Sequence, residues 1–502
     1  MLLRRAASAL ALVLAFSAYG QAAPKQSKPL DLTQDALTFN QSGSEKYAKG
    51  DLDAAISDFD QAIILNPKLA KAYYNRGMAK YDQGSLADAI ADYDQAIRLN
   101  ATFEDAYVNR ALAKTDNNDL EGAIVDDTTA LLLDPHDAGA CDNRGWARYR
   151  KGDIDAAIQD YVLAIKLDPQ LAQSYNDLGV AEREKGDLIQ AMADYNQAIK
   201  LNPDDDQAYY NRAIARNDQN DAAGAIADYD QAIRIDPKYT DAYVNRGEIK
   251  ADQEKWDEAI ADFNHAIELD SKNASVYNER GLAWYHKGDN EAALADYNQA
   301  LAVDATNANA YSNRGNVEKD LNQLDSALGD YNLALQADPK CASAYNNRGI
   351  VLQLRGDYGG AKADYEQAAK LEDNNAEAYC NLSSLAVAQG DWDGAIAQAT
   401  RAIKIYPNFA QAYNNRGVAQ FHKKDLTAAL ADYDHALQID PNDEHAYNNR
   451  GLALQARGDV EAALADYDLA IQIDPQFSQA QSNRAWAKWR QGDIMGALSD
   501  LW

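Results

Sequence analysis

Apolar and small side chains return along this chain at a period far longer than one helical turn. From residue 36 onward they occupy the same four places in every 34 residues. Repeats are counted from residues 36, 70, 104 and so on to 478. Position 4 is aromatic in most of them (Phe39, Tyr73, Tyr107, Tyr175), and position 8 is always small (Gly43, Gly77, Ala111, Ser383). Position 20 is alanine throughout, from Ala55 to Ala497, and position 24 is mostly aromatic (Phe59, Tyr93, Tyr161, Tyr195). The pattern predicts two helices per repeat. Small residues at positions 8 and 20 let the two backbones cross closely, and the rings at 4 and 24 fill the space around the contact. Between the helices stand Gly-Asp pairs such as Gly50-Asp51, Gly152-Asp153 and Gly458-Asp459. Glycine permits the left-handed residue that ends the first helix, and aspartate caps the second. Asn-Pro or Asp-Pro, as at Asn66-Pro67 and Asp440-Pro441, usually stops the second helix.

The tripeptide Asn-Arg-Gly begins at Asn75, Asn143, Asn245, Asn313, Asn347, Asn415 and Asn449, and every spacing is a multiple of 34. Fourteen units follow one another with no insertion or deletion. On these residues the segment 36–502 resembles the tetratricopeptide repeat family. The resemblance implies an all-α, right-handed superhelix, an α-solenoid of helix-turn-helix units. It also implies a concave groove lined by the first helices and contacts between neighbouring units only.

The chain departs from the family pattern at position 7, where leucine is usual. Here it is arginine in eleven units: Arg76, Arg110, Arg144, Arg212, Arg246, Arg280, Arg314, Arg348, Arg416, Arg450 and Arg484. Position 23 is aspartate in thirteen. A charge facing the second helix needs a partner, so an Arg–Asp pair is expected in each hairpin, for example Arg76 with Asp92 and Arg450 with Asp466. Repeat 11 loses both members together, as Leu382 and Gln398. Position 11 is basic in six of the first seven repeats (Lys46, Lys80, Lys114, Arg148, Arg216, Lys250) and in none of repeats 8–13. Two readings fit: a basic strip for an anionic ligand, or pairing with nearby aspartates. Glu254-Lys255, Ser271, Glu279 and Ala305 break the consensus, which marks 270–306 as a seam that could hinge.

Position 6 is asparagine in eleven units: Asn75, Asn109, Asn143, Asn211, Asn245, Asn313, Asn347, Asn381, Asn415, Asn449 and Asn483. With first helices side by side, these amides form a ladder along the groove. Each has an acceptor and two donors, which suits the repeating amides of an extended peptide. The ladder is similar to the groove asparagines of the O-linked GlcNAc transferase repeats, which hold peptide backbone. The competing reading is that the amides stabilise repeat–repeat contacts. Gln41, Asp177 and Glu279 interrupt the ladder, and the two acids bring charge into the groove. Position 12 offers groove aromatics, Tyr47, Tyr81, Tyr149, Tyr285, Phe421 and Trp489, either as pockets for side chains or as packing against the next repeat. The Lys and Asn set of carboxylate-clamp repeats is missing.

Charge narrows the partners. Of 502 residues, 78 are acidic and 48 basic, a formal net charge of −30, which opposes nucleic acid and anionic membrane surfaces. Cys141, Cys341 and Cys380 have neither disulfide nor zinc spacing and are expected to be small buried fillers. The six histidines show no metal spacing, and no phosphate loop or nucleophile elbow is present. No metal, cofactor or catalytic residue is therefore expected. Residues 1–22 combine Arg4-Arg5, a short apolar run and a small-residue cleavage point after Ala22, which predicts an export signal to the periplasm of a bacterium, followed by a polar linker over 23–35. The sequence thus predicts a non-catalytic, exported scaffold that binds an extended peptide or protein segment. Self-assembly through the C-terminal end, near Trp486, Trp489 and Trp502, is the structural alternative. A third alternative, substrate presentation for a glycosyltransferase-like enzyme, needs a catalytic domain for which the sequence outside the repeats leaves no room.

Overall fold

The computed structural model describes residues 32–501, which form 28 helices in consecutive pairs and, among the described residues, no strand. The expected export signal lies outside the described residues, as does Trp502. The first helix starts at Leu32, inside the segment expected as linker. Each repeat consists of a helix A and a helix B, for example Ala70–Asp82 and Leu86–Leu99 in repeat 2. The chain divides into two compact units between Pro237 and Lys238, so the first holds repeats 1–6 and the second repeats 7–14. The segment expected as a seam keeps the regular pair, Ala274–Lys287 and Asn290–Val303.

The turn between helices A and B is set by position 15, which has positive φ in all fourteen repeats. Nine of these residues are glycine, and Asn118, Asn220, Glu254, Asn322 and Lys424 take the same conformation at φ 58–66°. The following N–H then bonds back to the last turn of helix A: Asp51 to the Lys46 carbonyl at 3.0 Å, and Asp459 to Leu454 at 2.9 Å. The next helix is capped by side chains such as Asp357, whose Oδ1 accepts from the Gly360 N–H at 2.9 Å. Helix B ends on an Asx turn, Asn66 Oδ1 accepting from the Lys68 N–H at 3.1 Å. Asp270 and Asp304 make the same turn at 2.9 Å where proline is missing, so proline is not required to stop these helices.

The core of each hairpin is the ring at position 24 seated on position 8. A Cβ added to Gly77 would lie 2.8 Å from Tyr93 Cε1, and one on Gly417 would lie 2.7 Å from Tyr433 Cε1. The ring, more than the alanine at position 20, is what requires the glycine. The exceptions follow this rule in two of the described repeats: Ala111 faces repeat 3, where position 24 is Asp127, and Ser383 faces repeat 11, where it is Ala399. Ala213 with Tyr229 is the departure. Alanines 55, 89, 123 and their equivalents at position 20 are fully buried. Cys141 and Cys380 are buried fillers as expected, whereas Cys341 is only half-buried, and all three are free.

The expected Arg–Asp pair is present in all eleven repeats that carry the arginine. Nε and Nη2 donate to the two oxygens of the position-23 carboxylate at 2.5–3.0 Å, as in Arg348 with Asp364 and Arg450 with Asp466. This fork-on-fork geometry satisfies a carboxylate that is nearly solvent-free. Within each unit Nη1 reaches back to the previous repeat, for example Arg76 to Asp60 at 2.5 Å and Arg450 to Asp434 at 2.7 Å. In nine repeats the guanidinium also lies 5.4–5.6 Å from the ring centre of the position-4 tyrosine. One side chain therefore ties helix A to its own helix B and to the neighbouring hairpin.

Candidate functional site: the wall of first helices

Within each unit successive A helices touch one another and form a continuous wall. Position 6 lies on that wall, and ten of its eleven asparagines are half-buried; Asn415 is buried. Nine of the eleven donate from the amide nitrogen to the preceding repeat. Asn211 donates to Asn176 Oδ1 at 3.0 Å, Asn313 to Asn278 at 3.1 Å, Asn381 to Asn346 at 2.8 Å, and Asn449 and Asn483 repeat the contact. The acceptor is position 5 of the preceding repeat, 35 residues earlier. Where position 5 is Ser312, Asn347 donates instead to Asn316, 31 residues earlier, at 2.9 Å. Asn75 bonds Asn40 and Ser44, Asn109 bonds Tyr74, and Asn415 bonds the Cys380 carbonyl. Sequence reasoning placed these residues in a row but could not see that position 5 supplies their partners.

The position-12 aromatics act in the same way. Tyr47 donates to Asp82 at 2.6 Å and Tyr81 to Asp116 at 2.5 Å, while Tyr285 donates to Asp320 and Tyr149 to Glu184. The acceptor is position 13 of the next repeat each time, and burial next to it pushes Tyr47 and Tyr285 up to about 12. Phe421 packs against the core of repeats 12 and 13. Trp489 is half exposed and stacks on Trp486 at 5.0 Å. The basic residues at position 11 are paired too: Lys46, Lys80, Lys114, Arg148, Arg216 and Lys250 each meet the position-23 aspartate of their own hairpin at 2.6–3.0 Å. The reading as a strip for an anionic ligand gives way to internal charge balance.

Acids without an ion-pair partner among the described residues gather in repeats 3–5. Asp127 occupies the place of a ring, is fully buried, and neither of its oxygens has a hydrogen-bond partner among the described residues. Burial and the neighbouring Asp126 charge push its carboxyl up to about 9. In repeat 5, Leu178 and Glu182 replace the arginine and the base, so Asp194 faces Glu182 and burial raises both. Asp177 replaces a ladder asparagine and lies against Asp142, and burial raises both of these as well. Among the described residues no group of three or more His, Cys, Asp and Glu could hold a metal ion, and no helix is long and apolar enough to cross a membrane.

Family models described as "Tetratricopeptide repeat" match residues 70–103, 308–341, 340–408, 380–444 and 445–477, and one described as "TPR repeat" matches 43–84 and five stretches between 145 and 322. The chain belongs to the tetratricopeptide repeat family. No curated protein matches it by sequence. Among solved structures it is similar to the Cut9–Hcn1 hetero-tetramer of the APC/C, at TM-score 0.51 and 13% identity over 91% of this chain and 97% of that one, a likeness of fold. A tetratricopeptide repeat protein from Parabacteroides merdae gives TM-score 0.40 and 19% identity over 49% of this chain and 98% of that one. YrrB, described as a TPR protein with an unusual peptide-binding site, gives TM-score 0.30 and 27% identity over 37% of this chain and 95% of that one. The tetratricopeptide fold supports a protein–protein interaction scaffold and explains why the wall is built from repeated helices A.

Proposed function

We propose that this tetratricopeptide protein is a non-catalytic scaffold whose A-helix wall holds an extended protein segment. The observation that carries the reading is the state of the ladder amides. In nine of the eleven the nitrogen is spent on the neighbouring repeat, while the Oδ1 atoms of Asn313, Asn347, Asn381 and Asn449, residues that are all half-buried, receive no donor within the described residues. A row of fixed acceptors at one per repeat fits the N–H groups of an extended chain. The binding role and the stitching role of these amides are thus compatible. The leader-like segment at 1–22 supports action outside the cytoplasm.

Affinity capture from a cell-envelope extract tests this, with wild type and an Asn313→Asp/Asn381→Asp variant compared by mass spectrometry. The substitution keeps an acceptor but removes the stitching donor and adds charge, so captured proteins should change. Identical captured sets from two folded proteins would count against the ladder. A second reading is favoured by the exposed apolar cluster of Trp486, Trp489, Ile494 and Leu498: self-association through this face. Light scattering showing a strict monomer at high concentration removes it.

A further inference from the structure

Most asparagines of the ladder meet an amide, hydroxyl or carbonyl of the preceding repeat. At two places the same geometry brings two acids together. Asp177 faces Asp142, 35 residues earlier, the offset that elsewhere joins Asn313 to Asn278. Glu279 faces Glu248, 31 residues earlier, the offset that joins Asn347 to Asn316. Each acid pair borders a cavity on its own unit's wall. The first is about 230 Å³ and is lined by Asp142, Asn143, Trp146, Gln173, Asp177 and Gln207, all on A helices of repeats 4–6. The second, about 300 Å³, combines Glu248, Asp252 and Glu279 with Trp256, which stacks on His286 at 4.9 Å.

The first cavity is short of positive charge. Asp142 and Asp177 are each only 9% exposed. Among the described residues Asp142 receives a single neutral donor, the Ser174 hydroxyl at 2.5 Å on Oδ1, and its Oδ2 receives none. Asp177 receives only the amides of Gln173 and Asn176, at 2.9–3.3 Å. Every position-23 aspartate that lies opposite an arginine is paired with it, so these two buried carboxylates stand apart. Asn143 adds an amide with no partner among the described residues, because position 5 of the repeat before it is the apolar Val108. Trp146, 37% exposed, offers the wall of the cavity an aromatic face. Two carboxylates, an indole and the amide oxygens of Asn143 and Gln173 in one cavity are the complement of a guanidinium or ammonium group on a flexible stem.

We infer that the cavity between Asp142, Asp177 and Trp146 is a socket for an arginine or lysine side chain of the segment held on the A-helix wall. The inference rests on the groove reading above and adds its side-chain specificity. The carboxylates bracket the cation, the indole covers its stem, and the side-chain oxygens of Asn143 and Gln173 accept its remaining hydrogen bonds. The chain's net charge of −30 steers such a segment to the wall, but the socket fixes its register.

A displayed library of random dodecapeptides, selected on the intact protein, tests the socket. Selections run in parallel on Asp142→Asn/Asp177→Asn and on Glu291→Gln/Glu461→Gln, which removes the same charge from exposed positions of the other unit. Wild type and the exposed-site variant should enrich peptides with a fixed arginine or lysine, and such a peptide should bind Asp142→Asn/Asp177→Asn at least about tenfold more weakly. Thermal melts verify that the variant, relieved of its acid repulsion, stays folded. Peptides enriched on wild type without a fixed basic residue, or binding both variants alike, would overturn the socket and leave the groove reading in place. Enrichment of no peptide on any form would overturn the groove reading and the socket with it.

Discussion

A guanidinium held between two helices has given up water, and it is tolerated only because its position-23 carboxylate meets it with both oxygens. Arg348 and Asp364 retain 22% and 8% of their side-chain exposure, so neither can recover hydration when the other is lost. Removing Asp364 alone should therefore cost about 3–5 kcal/mol. Arg348→Ala/Asp364→Ala should cost less than the sum of the single changes by about 1–3 kcal/mol, measured by chemical denaturation; strict additivity would mean the pair is ornamental. Asp127 poses the opposite case, a buried carboxyl with no ion-pair partner and no hydrogen-bond donor among the described residues, its burial and the Asp126 charge outweighing the attraction of Arg144. Its folded value of about 9 lies above that of an unfolded aspartate, so at neutral pH the folded chain holds a proton that the unfolded chain has released. Its contribution is complete below the unfolded value and is lost as pH climbs through about 9. Asp127→Asn should raise the melting temperature at pH 8 and flatten the loss between pH 5.5 and pH 8; the remaining slope belongs to the other acids raised in the same sense, Glu182, Asp194, Asp142, Asp177, Glu104 and Glu318 among them. A variant that loses stability over this range as steeply as wild type would show that Asp127 is ionised in the fold. The arginine pairs were legible in the sequence because both partners recur at a spacing of 16 residues. Asp127 was legible only as an absence, a missing ring in a row of rings.

A helix pair in this chain is organised by one close approach, the position-24 ring on the position-8 glycine, and by one left-handed residue at position 15. Gly417→Ala places a methyl 2.7 Å from Tyr433 Cε1. The overpacking should cost about 1–3 kcal/mol, more than the roughly 1 kcal/mol that alanine gains over glycine inside a helix. A net loss of stability that Tyr433→Leu partly restores is the expected outcome in calorimetry. A stabilised Gly417→Ala would mean that the pair simply spreads, as the natural combination of Ala213 with Tyr229 does. Helix boundaries were readable because the turn chemistry is repeated, with glycine at nine of the fourteen left-handed positions. Glu254 and Lys424 adopt that conformation against their preference, since the flanking helices and the bond back to helix A fix the turn around them. The missing prolines at Ser271 and Ala305 likewise change nothing locally, because Asp270 and Asp304 end the helices alone. The row of ladder asparagines was readable too. Its partners at positions 5 and 9 were not, since contacts 35 and 31 residues away depend on how far one hairpin is rotated against the next.

Within each unit, packing among the described residues runs between consecutive helices and between successive A helices, so no residue of repeat 7 helps to hold repeat 12. Stability is then a sum over hairpins and the joints between them, and damage should stay near its origin. The joints here are unusually polar: an arginine reaching back to position 25, a tyrosine reaching forward to position 13, and an asparagine reaching back to position 5. Each is short and directional, so a shift of one hairpin breaks several bonds to the next but none beyond it. Gly417→Ala should therefore raise hydrogen exchange across repeats 11–13, whose A helices pack on one another, and leave repeats 7 and 8 at their wild-type protection. Mass spectrometry of exchanged peptides reads both regions in one experiment. Equal loss of protection in repeats 7 and 8 would require cooperativity that these contacts cannot transmit. Local opening also has a functional consequence. A segment held at one acceptor per repeat can leave repeat by repeat, and a socket such as that of Asp142 and Asp177 is what gives such a segment one register among many.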